Sequence, residues 1–284
     1  MLGKMLKYEF KATSRILGLV YAAVLALACI NTGLLLLNDN VMQFGDSALG
    51  TTIYSTISGL MVFLYVLMVI AAIVVTIVII VVRFYRMYGN EGYLWHTLPL
   101  TANQHILAKL IVAFVWNIVS FVVVFLSIWL LLLPLDTTIA LQDLTEAWDT
   151  IALMGLNLRL WLVLFLFLVI TGGLSSILMF YAAIAIGPTI VKSRLGGTVL
   201  AYLCIYVGYS MLNTVLMVAL GPALNNLALD LTFGAIGMNL ASVAAAIDQM
   251  VLVFCAGYGL MSLALVVVFY VATRYFTARK LNLP

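Results

Sequence analysis

Six long apolar stretches dominate the chain, at residues 16–37, 57–82, 110–133, 160–186, 198–220 and 250–273. None of them contains Asp, Glu, Lys, Arg or His. Each is long enough to cross a membrane, because about 20 helical residues span a hydrocarbon core of ~30 Å. In lipid a helix satisfies its backbone groups within one segment, whereas a β-barrel would show short alternating strands. These runs do not alternate. The pattern predicts an all-α polytopic membrane protein with six transmembrane helices, organised as a single transmembrane domain over 1–284.

Polar positions between the runs predict smaller elements. In residues 1–15, Lys4, Lys7, Lys11 and Arg15 recur at helical spacing on one face, with Leu2, Met5, Leu6 and Phe10 opposite. That predicts an amphipathic helix lying in the inner membrane interface, its cations toward anionic headgroups. Glu9 projects from the apolar side, either as a snorkelling carboxylate or as a contact to a partner protein. After the second run, Asn90 is a good helix cap, Glu91 suits the positive end of a helix dipole, and Pro99 disfavours helix at Leu98. A two-turn cytoplasmic helix over 90–98 follows. Thr101-Ala102-Asn103-Gln104 is a capping-box pattern that would start the third span. In the loop 134–157, Asp143, Glu146 and Asp149 fall at three-residue spacing, as on an amphipathic outer helix. The stretch 231–247 is apolar, glycine-broken and flanked by Asp230 and Asp248; it is too short to cross twice and reads as an outer-leaflet hairpin between spans 5 and 6.

Composition sharpens this. Hydrophobic residues make up 66% of the chain and charged residues only 8%, against about 25% charged in a soluble domain. Much of the exterior must therefore face lipid. With the N-terminus in the cytoplasm, Lys4, Lys7, Lys11, Arg15, Arg83, Arg86, Lys109, Lys192, Arg194, Arg274, Arg279 and Lys280 collect inside, and Arg159 falls outside. That bias predicts a multi-pass protein of the cell membrane with both termini cytoplasmic. Cys29, Cys204 and Cys255 lie in apolar stretches and read as small buried apolar residues. Ala26-Leu27-Ala28-Cys29 departs from a lipoprotein cleavage box in having Ala where a large aliphatic is usual, and an uncleaved first span is expected.

Catalytic chemistry is not visible in the pattern. His96 and His105 have no Cys or paired acids at metal-ligand spacing, so a solvated or structural role is expected. Ser175 and Ser176 have no base within a span to activate them, and are expected to help helices pack beside Gly172 and Gly173. The spans also lack the ionisable residues of ion-coupled carriers. Gly187-Pro188-Thr189-Ile190-Val191-Lys192-Ser193 lacks the glycine before the lysine that a phosphate-binding loop requires. A non-enzyme is expected. If it moves cargo uphill, another polypeptide supplies the energy.

The sequence Glu91-Gly92, then Leu98-Pro99-Leu100, then Ile106-Leu107 and Lys109, resembles the pattern of ABC-2 type transporter permeases. Tyr93 replaces the usual threonine, and the second acid is missing. The layout of a basic elbow, six spans, a loop helix and an outer hairpin is also similar to that family. The resemblance implies an exporter's membrane subunit, paired with a second permease subunit, as a homodimer or heterodimer. Each would dock on a separate cytoplasmic ATPase that holds ATP and Mg. It implies that Asn90, Glu91, Gly92, Tyr93, Leu94, His96 and Pro99 form the coupling surface, and Lys4, Lys7, Glu9, Lys11 and Arg15 the elbow. An uncharged pathway suits amphipathic cargo such as a peptide, lipid or drug-like molecule. No nucleic-acid partner is expected. A non-transporting membrane assembly or sensor subunit, and an ion channel, remain as alternatives at this point.

Overall fold

The computed structural model describes residues 2–41, 48–88, 102–132, 145, 149, 155–191, 193–237 and 240–279. Six long helices make up this structure: α1 (Leu2–Val41), α2 (Ala48–Tyr85), α3 (Ala102–Leu132), α4 (Leu158–Ile190), α5 (Arg194–Ile236) and α6 (Leu240–Arg279). A single 3-10 turn, Arg86–Tyr88, continues from α2. All six helices contain an apolar segment long enough to span a membrane. The protein is therefore an all-α, six-helix polytopic membrane protein.

The α2 run Ile70-Ala71-Ala72-Ile73-Val74-Val75-Thr76-Ile77-Val78-Ile79-Ile80-Val81-Val82 is rich in β-branched residues, which stiffen χ1 and favour strands in water. It is helical here. A lipid solvent explains the outcome, because an open strand edge there would leave its N–H and C=O groups without partners. Its surface agrees: Phe63, Leu67, Ile70, Val74 and Val78 are all exposed, as lipid-facing residues should be.

The helices overrun the apolar stretches. α1 is 40 residues long, about 60 Å at 1.5 Å per residue. The separate elbow expected over 1–15 is not a distinct element, since helix continues unbroken through Arg15 into the apolar run. At the other end of the chain, the fifth span was expected to stop at residue 220, before Gly221-Pro222. Instead α5 carries Pro222 inside it and runs for 43 residues to Ile236. Proline removes one intrahelical hydrogen bond but does not end this helix. The stretch 231–247 thus supplies the end of α5, which closes at Ile236, and the start of α6 at Leu240. The expected start of the third span agrees with α3 beginning at Ala102.

Two compact units emerge, interleaved along the sequence: residues 1–83 with 111–143, and residues 84–110 with 144–284. In the first unit, Leu17, Tyr21, Val112 and Trp116 form a buried cluster, flanked by Leu6, Phe10 and Ile79. Hydroxyl groups tie its helices together. Tyr21 Oη lies 3.0 Å from Thr76 Oγ1 and Tyr65 Oη 2.8 Å from Ser127 Oγ, and Thr32 Oγ1 lies 2.8 Å from the Leu130 carbonyl. Such interhelical bonds in a membrane contribute about 0.6 kcal/mol each on average.

The second unit packs α4 against α5 and α6. Gly155, in the left-handed region at φ 71°, turns the chain into α4. The Asn157 side chain then caps that helix by accepting the Leu160 N–H at 3.3 Å. Ser262 Oγ donates to Thr171 Oγ1 at 2.8 Å between α6 and α4. Ser175 Oγ instead bonds back to the Gly172 carbonyl of its own helix, and a methyl group on Gly172 would meet nothing within 4 Å. The close approaches come at other glycines. Cys29 and Cys204 are exposed on the apolar surface and Cys255 is half-buried, all three as free thiols, so they are not the core residues expected.

Candidate functional site: the base of the 89–101 segment

The residues that the ABC-2 resemblance makes the coupling surface (Asn90, Glu91, Gly92, Tyr93, Leu94, His96 and Pro99) lie outside the described residues. Their supports on either side are well defined within the second unit. Tyr88 is the last described residue before the segment and is buried. Its carbonyl accepts a hydrogen bond from Arg194 Nη1 at 2.8 Å. Its hydroxyl forms a short hydrogen bond with Thr277 Oγ1 near the end of α6. Phe84, one turn earlier, is fully buried and stacks on Tyr181 of α4, with ring centroids 3.7 Å apart and planes within 7°. Met87 is also buried. The entry to the segment is thus fixed to α4, α5 and α6 at once.

Arg194 opens α5 immediately after a tight corner from α4. There the two backbones nearly touch. A Cβ on Gly187 would lie 2.5 Å from the Thr198 nitrogen, and a Cβ on Gly197 would strike the Gly187 carbonyl oxygen. Neither clash can be relieved by a side-chain rotation, because the opposing atoms are backbone. Pro188 sits one residue past Gly187, and Val191 adopts an extended conformation that ends α4. Arg194 therefore reaches Tyr88 from a corner that only glycine permits.

On the exit side, His105, Ile106 and Lys109 are all buried in the first turns of α3, while Leu107 is exposed. Burial decides for a structural rather than solvated histidine. The Ile106–Leu107–Lys109 part of the motif is thus packed into the protein, apart from Leu107.

A single carboxylate organises the opposite end of the same unit. Asp248 of α6 accepts from Trp161 Nε1 at 2.8 Å and from the Asn157 backbone N–H at 3.3 Å to each carboxylate oxygen. The carboxylate thereby sits at the positive end of the α4 dipole. Arg194 and Asp248 mark opposite ends of a unit whose α4 is 33 residues long, about 50 Å.

In the first unit the elbow residues separate by face. Lys4, Lys7, Lys11 and Arg15 are exposed. Glu9 is buried and forms an ion pair with Arg83 of α2 at 2.9 Å. It points into its own chain rather than toward a partner. Trp116 Nε1 donates to Thr13 Oγ1 at 2.8 Å, which in turn donates to the Glu9 carbonyl at 2.9 Å. Phe10 stacks on Trp116 with centroids 5.1 Å apart.

Sequence reasoning missed the Tyr88–Arg194–Thr277 cluster. Arg194 entered only as a topological charge, and Thr277 carries no signal of its own. The Gly-Gly pair at 196–197 beside Pro188 was the readable cue. No group of three or more His, Cys, Asp or Glu is placed to hold a metal among the described residues. The chain matches no protein-family model, no curated protein and no solved structure.

Proposed function

We propose that this chain is the membrane-spanning permease subunit of an ATP-driven exporter, as its resemblance to ABC-2 permeases implies. It would work as a dimer, with separate cytoplasmic ATPases that bind ATP and Mg, and carry amphipathic cargo. Both termini and the 89–101 segment would face the cytoplasm, in keeping with the Lys and Arg bias. One observation carries the reading: the entry to 89–101 is clamped through Tyr88 to Arg194 of α5 and Thr277 of α6. A force on a segment anchored in this way passes to two long helices rather than dissipating in a loose loop. Glu91 is the residue assigned to the ATPase contact, through a charge-assisted hydrogen bond.

The test is co-purification with a co-encoded ABC ATPase, followed by ATP hydrolysis in reconstituted vesicles with amphipathic peptide, lipid and drug-like cargoes. Cargo-stimulated hydrolysis that is lost when the 91–98 surface is replaced supports the reading. A chain that inserts and folds but binds no ATPase would instead be a membrane assembly or sensor subunit.

A further inference from the structure

Charge on the first turns of α1 is sorted by face. Glu9 is the single acid among residues 1–38, and its carboxylate is buried against Arg83. Lys4, Lys7, Lys11 and Arg15 all remain exposed. The outer face of this segment therefore carries cations with no acid of its own to neutralise them. It also carries a concavity of about 420 Å³ lined by Tyr8, Lys11, Ala12, Arg15 and Ile16. Lys11 and Arg15 stand one helical turn apart, so both can reach one anionic group. Ala12 leaves the space between them open. Tyr8 is 72% exposed and Ile16 53% exposed beside the two cations.

We propose that this cleft binds the headgroup of an anionic phospholipid. Lys11 and Arg15 would hold the phosphate, and Tyr8 and Ile16 would lie against the glycerol and upper acyl region. The occupant follows from the mixture of groups. A free phosphate ion satisfies the cations but leaves Tyr8 and Ile16 in water. An amphiphile with a negative head and an apolar body covers all of them. The inward turn of Glu9 matters here, because an exposed carboxylate on this face would repel the same phosphate.

The experiment uses the full chain in phosphatidylcholine nanodiscs containing trace spin-labelled phosphatidylglycerol or spin-labelled phosphatidylcholine. The wild-type chain should favour the phosphatidylglycerol label, by roughly fivefold for each cation engaged. K11Q/R15Q should bring the preference close to one, whereas K4Q/K7Q, with the same change in charge, should keep most of it. Equal losses in the two double variants would mean diffuse surface charge and overturn the site. No preference in the wild-type chain would overturn it as well. Displacement of the label by millimolar inorganic phosphate would reassign the cleft to the free ion. All four side chains are exposed, and an unchanged tryptophan emission spectrum with an unchanged thermal unfolding midpoint would show that the variants fold.

Discussion

The two units solve the problem of joining helices in lipid by different means. The first uses large side chains with polar tips: Trp116 and Tyr21 fill the core and hydrogen-bond across it, and Glu9 pairs with Arg83. The second brings backbones together, with Gly187 against Gly197 and side chains seated on glycine, as Phe167 is on Gly259 and Leu220 on Gly257. Where lipid is as apolar as any side chain, burial alone does not drive helices together. Contact must come from packing or from polar groups that have no better partner. A side-chain network can lose one member and rearrange, but a backbone contact has no slack.

The largest effect should therefore come from the glycine corner. Gly197→Ala places a methyl group against the Gly187 carbonyl, and relief requires α4 and α5 to separate. Overpacking of a fixed backbone typically costs about 1–3 kcal/mol, occasionally more. Thermal unfolding in detergent should show a marked loss of stability, and Gly172→Ala, with open space around it, should show almost none. A neutral Gly197→Ala would end the distinction between the two units.

Next comes the ion pair, where direction matters more than size. Glu9 is almost fully buried, with 4% of its side chain exposed, and Arg83 retains 28%. Removing Arg83 leaves a buried carboxylate without its cation, whereas removing Glu9 leaves a guanidinium that can reach solvent. Breaking a fully buried pair typically costs about 3–5 kcal/mol, but Arg83 is part-exposed, so Arg83→Ala should fall below that range and below Gly197→Ala. Glu9→Gln should cost much less. Chemical denaturation of the two variants, compared in one detergent, checks the order. A third variant, Ser262→Ala, removes one interhelical hydroxyl bond in the second unit and should cost about 0.6 kcal/mol.

These differences were only partly legible in the sequence. Six uncharged runs gave six helices because lipid leaves the backbone no other way to bond within a segment. Helix ends were harder to read. The fifth apolar run ends at residue 220, just before Gly221-Pro222, but α5 continues past both. Glu9 was visible as an anomaly on an apolar face, yet its partner lies 74 residues away, and periodicity carries no information at that range. The same holds for Tyr88 and Thr277, separated by 189 residues. Of the proposed coupling surface, the sequence offers the pattern of Asn90, Glu91 and Pro99. The structure adds the anchoring of Tyr88, the last described residue before that segment.

An equally small expected effect on stability is the most informative for function. Tyr88→Phe keeps the ring beside Phe84 and removes only the hydroxyl that bonds Thr277. In a membrane protein such a bond contributes about 0.6 kcal/mol, at most about 1.7, so the variant should fold, and Arg194 should still hold the Tyr88 carbonyl. If 89–101 transmits an ATPase stroke, loosening its tie to α6 should uncouple hydrolysis from transport. Cargo-stimulated ATP turnover would persist while cargo movement per ATP falls. Thr277→Val removes the same bond from the other side and should reproduce the phenotype, and the double variant should be no worse than either single one. A fall in both hydrolysis and transport with unchanged stoichiometry would mean that Tyr88 merely supports the fold. Unchanged transport in all three variants would leave the clamp to Arg194 and the Phe84–Tyr181 stack, and would move the coupling path from α6 to α4 and α5.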